Sequence, residues 1–169
     1  MNAHVKTETE HRSLWLELIE VPHEYGWIDA GGIKTRYLRA GPKDAPVLIL
    51  LPGTAGTLET FGANLAAHAR HFNCYCIDSL GSGFTDKPDG NYELPRYVEH
   101  LRDFFKAANL TKASLLGCSL GAWIAARFAL THPEMVEKVT LVSPAGMTAN
   151  PETMKRVSSG RSSAVDDPT

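Results

Sequence analysis

Nothing in this chain of 169 residues approaches the ~20 consecutive apolar residues that a membrane-spanning helix needs, which excludes such a span. An excess of one charge is missing too. Lys and Arg number 17 against 19 Asp and Glu, a formal net charge of −2, so there is no electrostatic footprint for nucleic acid. Cysteine is scarce: Cys74, Cys76 and Cys118 make an odd count without zinc-type spacing, which suits a reducing compartment. The opening "MNAHVKTETEHRS" is polar and mixed in charge and lacks the apolar stretch of a secretory signal, so the expected location is cytoplasmic. What is present is ordinary for one globular domain, with 43% hydrophobic and 21% charged residues.

Along the chain the pattern changes period repeatedly. After a solvated arm, "SLWLELIEV" has helical spacing and is expected to form a short helix capping a sheet edge. "EYGWIDAGGIKTRYLRAG" reads as a β-hairpin turning at Gly31-Gly32. "APVLILLPG" is continuously apolar, as in a parallel strand covered on both faces. A helix is expected in "TLETFGANLAAHARHF", a strand in "NCYCID", a helix in "LPRYVEHLRDFFKAANL" and a strand in "KASLLGCS". "LGAWIAARFALTH" and "VEKVTLVSP" add one more helix and strand. Such alternation predicts an α/β fold: a hairpin leading into a mostly parallel sheet with helices on both faces. Cys74 and Cys76, two apart, share one strand face as small core residues. Three segments are expected: an arm over 1–23, a core over 24–147 and an incomplete polar tail over 148–169.

The chemistry-bearing stretch is "LLGCSLGAW". Gly117-Cys118-Ser119-Leu120-Gly121 fits G-x-S-x-G between a predicted strand and a predicted helix. A nucleophile on so sharp a turn needs small residues two before and two after it. Centring on Ser119 puts Gly117 and Gly121 there, whereas centring on Cys118 would put Leu116 and Leu120 there. Ser119 is therefore the candidate nucleophile. A phosphate cradle is the rival reading of a Gly-rich turn, but no Walker Lys-Ser/Thr pair follows. Acyl chemistry also needs donors for a developing oxyanion. The backbone N–H of Leu120, opening the helix, is one candidate, and that of Thr54, after Pro52-Gly53, is the other.

From Glu24 to Gly146 the chain resembles the α/β-hydrolase superfamily. Its segments "DAGGIKTRYLRAG", "LPGTAGTLETF", "DSLGSGFTDKP" and "LLGCSLGAWIAARFALTHPEMVEKVTLVSPAG" are similar to those of meta-cleavage-product hydrolases. That resemblance implies hydrolysis of a carbon–carbon or ester bond beside a carbonyl in a small molecule, with water as co-substrate and no metal or organic cofactor. Two departures stand out: Pro52-Gly53 where the superfamily usually has His-Gly, and Cys118 where the carbon–carbon hydrolases often have asparagine.

In this fold the acid and then the histidine follow the serine. The only histidine after Ser119 is His132, thirteen residues along the same predicted helix and so roughly 20 Å away. His68, His71 and His100 are expected on helices flanking the sheet, and Asp78 precedes the serine at a strand end, where it is expected to organise the loop of "IDSLGSGFTD" through backbone hydrogen bonds. The resemblance implies the N-terminal part of a larger hydrolase, inactive alone, with 148–169 the start of an incomplete cap or lid region, and with its last strand, Val136–Val142, an open edge inviting self-association. A non-catalytic binding module on the same fold is the alternative.

Overall fold

The glycine pair turns the chain where the alternating pattern requires it. In the computed structural model, which describes residues 13–146, β1 (His23–Asp29) and β2 (Lys34–Ala40) pair antiparallel, with Asp29 opposite Lys34. The other strands are β3 (Val47–Leu51), β4 (Asn73–Ile77), β5 (Ala113–Cys118) and β6 (Val136–Val142). The helices are α1 (Leu14–Ile19), α2 (Gly62–Ala69), α3 (Leu94–Ala107) and α4 (Leu120–Thr131). The sheet order is β1-β2-β4-β3-β5-β6. Strands β4, β3, β5 and β6 run parallel, and β2 joins β4 antiparallel.

The apolar run of β3 divides between two cores, as burial on both faces requires. Ile49 and Leu51 face α3 and α4, in a core with Leu101, Phe104, Phe105, Ile124 and Phe128. Leu48 and Leu50 face the other way, among Leu18, Val21, Leu38, Leu58, Leu65, Cys74 and Cys76. Both cysteines are buried on that face, and burial pushes the Cys74 thiol up to about 11 and Cys76 higher still, so neither supplies a thiolate at neutral pH. Helix α3 begins with Pro95 in its first turn and buries Val98, Leu101, Phe104 and Phe105, a stripe at three- and four-residue spacing. Phe105 stacks on Phe128 of α4 at 5.2 Å between ring centroids.

Three sequence expectations need correction. Helix α1 lies against α2, and Leu18 and Val21 join the core of that sheet face, so the helix covers the face and not the edge. The helix expected from Thr57 starts as a 3-10 turn over Leu58–Phe61, and only then becomes α2. His71 falls just past α2, in the turn entering β4. The solvated arm over 1–12 and the tail from 147 lie outside the described residues. Among the described residues no helix is long and apolar enough to cross a membrane.

Strand order also places the opening of the sheet. The chain leaves β3 toward α2 on one face and leaves β5 toward α4 on the other, while β3 and β5 are neighbours. Such a switch point parts the loops at the carboxyl ends of the two strands and leaves a crevice, where open α/β sheets bind ligands.

Candidate active site

Ser119 stands at that switch point, between the last residue of β5 and the first of α4. Its backbone has φ 53° and ψ −112°, a region that a residue with a Cβ rarely occupies, and its side chain makes no capping hydrogen bond to α4. The flanking glycines explain how the chain reaches this conformation. A Cβ on Gly121 would overlap the carbonyl of Leu51 and lie 2.6 Å from Pro52 O. A Cβ on Gly117 would overlap the carbonyl of Gly121 and lie 2.5 Å from the amide nitrogen of Ala122. Strand β3, strand β5 and helix α4 thus meet backbone to backbone, and no side chain fits between them.

Ser119 is held from β6 as well. Its N–H donates to Val142 O at 2.9 Å, and its carbonyl accepts from Ala145 N–H at 3.0 Å and from Trp123 N–H at 3.1 Å. The turn after β6 has Ser143 at φ 44° and seats Gly146 against the Trp123 ring. The stretch "VSPAG" was legible as a strand end, yet nothing in it pointed at Ser119. From the other side comes Gly53, where a Cβ would be 3.1 Å from Ser119 Cβ and 3.7 Å from Oγ. Thr54 follows directly and is exposed, in a turn closed by Gly56 N–H on Gly53 O at 3.0 Å. Leu120 opens α4, where the first amides have no carbonyl partner within the helix and the dipole favours negative charge. Cys118 is half-buried beside the serine.

The structure gathers Gly53, Gly117, Ser119, Leu120 and Gly121 at the carboxyl ends of β3 and β5 and leaves the histidines among the described residues elsewhere. Helices run back against the parallel strands, so His68 near the end of α2 and His132 beyond the end of α4 lie toward the opposite end of the sheet. His71 precedes β4, and His23 opens β1. His132 packs on Phe128 at 4.9 Å. His100 is buried within α3, hydrogen-bonded to Thr35 Oγ1 at 2.7 Å; burial depresses its pKa to about 4, so it is neutral at physiological pH. Among the described residues no group of three His, Cys, Asp or Glu is placed to hold a metal ion. A cavity of about 410 Å³ lined by Val21, Pro22, Gly41, Pro42, Ala66 and Ala69 lies near the carboxyl end of β2, away from Ser119.

Asp78 organises its own loop as expected, through the Phe84 amide, and a wider network that sequence reasoning missed joins the loops beside the crevice. Asp78, which follows β4, is fully buried and accepts the N–H groups of Leu58 at 2.8 Å and Phe84 at 2.9 Å. Arg36 of β2 reaches Asp78 Oδ2 at 3.2 Å and pairs with Glu59 through its other nitrogen. Burial alone would raise the Glu59 carboxyl, but hydrogen bonds from Thr57 and Arg36 outweigh it and hold it below the usual range. Arg36 sits in an alternating strand pattern as any exposed arginine would, so its sequence carries no signal of this role.

A model described as "alpha/beta hydrolase fold" matches residues 46–162. A 2-hydroxy-6-oxo-6-(2'-aminophenyl)hexa-2,4-dienoic acid hydrolase of Metapseudomonas resinovorans is 38% identical over 125 residues, 72% of this chain and 42% of that protein. Carboxylesterase YbfK of Bacillus subtilis (strain 168) is 34% identical over 131 residues, 77% of this chain and 44% of its own length. Among solved structures, a serine hydrolase involved in carbazole degradation (CarC enzyme) superposes with a TM-score of 0.70 at 35% identity, over 80% of this chain and 55% of that one. The chain spans about half the length of the relatives it matches.

Proposed function

Because the chain belongs to the alpha/beta hydrolase fold family, we propose that it carries the nucleophile-bearing half of a serine hydrolase. Its relatives include a carbon–carbon bond hydrolase and a carboxylesterase, and the substrate class proposed here is correspondingly a small molecule with an ester or carbon–carbon bond beside a carbonyl. The observation that carries this reading is Ser119 at φ 53° between two glycines whose missing side chains let β3, β5 and α4 touch. A hydroxyl on such a hinge stands clear of helix and strand, and the first amide of α4 follows it directly in the chain.

In the proposed reaction Ser119 Oγ attacks the carbonyl carbon, and the oxygen gaining charge is received by the N–H groups of Leu120 and Thr54. Removing one such donor typically costs ~10²–10³ in rate. The attack needs a base to take the hydroxyl proton and an acid to orient that base. Neither role has a candidate near Ser119 among the described residues, so the described part alone would turn over little beyond a residual ~10³–10⁴ over water.

A fluorophosphonate probe tests the reading. Slow covalent labelling of the 169-residue chain at Ser119, driven by the reagent's own reactivity and the amide donors in place of a base, and lost in Ser119→Ala with the fold intact by circular dichroism, is the expected result. The missing base favours one other reading, a binding module with an inert serine. Labelling equal in Ser119→Ala, or none in either protein, would count against a nucleophilic Ser119 and favour that alternative.

A further inference from the structure

The carboxylate of Asp78 has three donors, and two are backbone amides in different loops. Leu58, on Oδ1, ends the loop after β3; Phe84, on Oδ2, belongs to the loop after β4. Arg36 Nη1 shares Oδ2, and Nη2 pairs with Glu59, the neighbour of Leu58. The backbone closes the same circuit, with Arg36 N–H donating to Thr85 Oγ1 at 2.9 Å and the Thr85 hydroxyl donating to Asp78 O at 2.9 Å. Arg36 lies between two rings, 4.9 Å from the centroid of Tyr25 and 4.8 Å from that of Phe84. Gly83, at φ 52°, leaves the room the carboxylate occupies, since a Cβ there would be 2.7 Å from Asp78 Oδ1 and closer to its other atoms. A buried carboxylate this fully engaged is rigid, because any displacement leaves a charge or an amide unpaired.

We propose that Asp78, oriented by Arg36 and Glu59, is a positioning residue for the Thr54 amide at the Ser119 crevice; this rests on the serine-hydrolase reading above. Four peptide steps separate Leu58, tied to Asp78, from Thr54. Between them Ala55 has φ 58°, a left-handed conformation unfavourable for a residue with a Cβ. Such a residue stays strained only while both ends of its segment are fixed. Gly53 against Ser119 fixes one end, and Leu58 on Asp78 fixes the other. Releasing Leu58 lets Ala55 relax, and the displacement passes to Thr54. Leu120 is held independently, by the elbow glycines and the turn after β6.

The test uses the isotope-labelled 169-residue chain and Asp78→Asn, which keeps the side-chain shape but sets an NH2 among three donors. In the capture assay an Oγ–P bond forms as fluoride leaves the fluorophosphonate and the hydroxyl proton passes to water. Expected are displaced Thr54 and Leu58 amide resonances, an unmoved Leu120 resonance, and capture of Ser119 slowed at least tenfold. Glu59→Gln should move Thr54 in the same direction, with capture slowed two- to fivefold. Glu24→Gln, which removes only the exposed partner of Arg39, should change none of these. Thr54 unmoved in both Asp78→Asn and Glu59→Gln would overturn the proposal, as would Thr54 and Leu120 moving together, the mark of a general loss of packing. Absence of capture in the unmodified chain would refute the nucleophile reading instead, while the amide resonances still decide the positioning. Should Asp78→Asn not fold, Glu59→Gln decides by the same two resonances.

Discussion

Strands β3 and β6 lie one strand apart, run parallel, and both deliver contacts to Ser119, yet their surroundings are opposite. Four of the five residues of β3 are buried, whereas six of the seven of β6 are exposed. The turn after β3 touches Ser119 through Gly53, packed against its side chain, and β6 and the turn after it reach its main chain through hydrogen bonds. The difference separates two ways of building a site. The β3 side is over-determined by volume, since a Cβ on Gly121 would collide with the backbone of Leu51 and Pro52. The β6 side is determined by hydrogen bonds on one edge of a ladder, whose outer edge is open to another chain among the described residues.

The largest expected effect breaks the β3 side. Gly121→Val places a branched side chain against the Leu51 carbonyl, where neither backbone can yield without opening the β3–α4 contact. Overpacking a core costs typically ~1–3 kcal/mol and more against backbone. We expect no cooperative unfolding transition for this variant in urea; a normal one would show that the elbow is looser than the close approach implies.

Next in size, Ile49→Ala in β3 should cost ~2–5 kcal/mol, as for other buried aliphatic truncations, because Ile49 is fully enclosed. Val139→Lys in β6, a residue 37% exposed, should stay within ~0.5 kcal/mol and instead reduce any concentration-dependent association seen by sedimentation. Equal urea midpoint shifts for the two would erase the contrast between the strands.

The last effect vanishes at neutral pH and concerns the helix layer behind β3. His100 is depressed to about 4 by burial, with the Asp103 charge opposing, against an ordinary value near 6.5. Thr35 is its direct partner, and Arg96, Glu99 and Asp103 share the adjoining cavity. Above pH 6.5 the imidazole is neutral in both states. As pH falls toward 4 the unfolded chain binds a proton that the folded one refuses, so stability falls by up to ~3 kcal/mol and then levels off. Urea midpoints at pH 7 and pH 4.5 should diverge less in His100→Asn than in the unmodified chain; equal divergence would assign the loss to other groups.

Much of this was legible beforehand. The hairpin at Gly31-Gly32, the doubly buried β3, the stripe of α3 and the alternation of strands and helices follow from periods of two and 3.6 and from where glycine and proline interrupt them. Ser119 was preferred to Cys118 by a steric rule spanning five residues, and a Cβ built on either glycine does meet backbone. Helix α1 was misplaced because an amphipathic pattern says that a face will be buried, and not against what. The 3-10 start at Leu58 escaped notice because the cause lies outside it: Leu58 N–H is taken by Asp78, twenty residues away.

By itself the amino-acid sequence determined the class of fold, the order of elements and the residue poised on the hinge, because each depends on interactions within one turn or one strand. Only the tertiary structure decided what surrounds that hinge: Gly53 from the turn after β3, Val142 at the end of β6 and Ala145 beyond it, and the Arg36–Asp78–Glu59 network that ties two loops together. Arg36 and Asp78 are 42 residues apart and meet only because β2 pairs with β4. Strand order is chosen by which apolar faces can be covered together, a sum over the whole core that no local stretch contains.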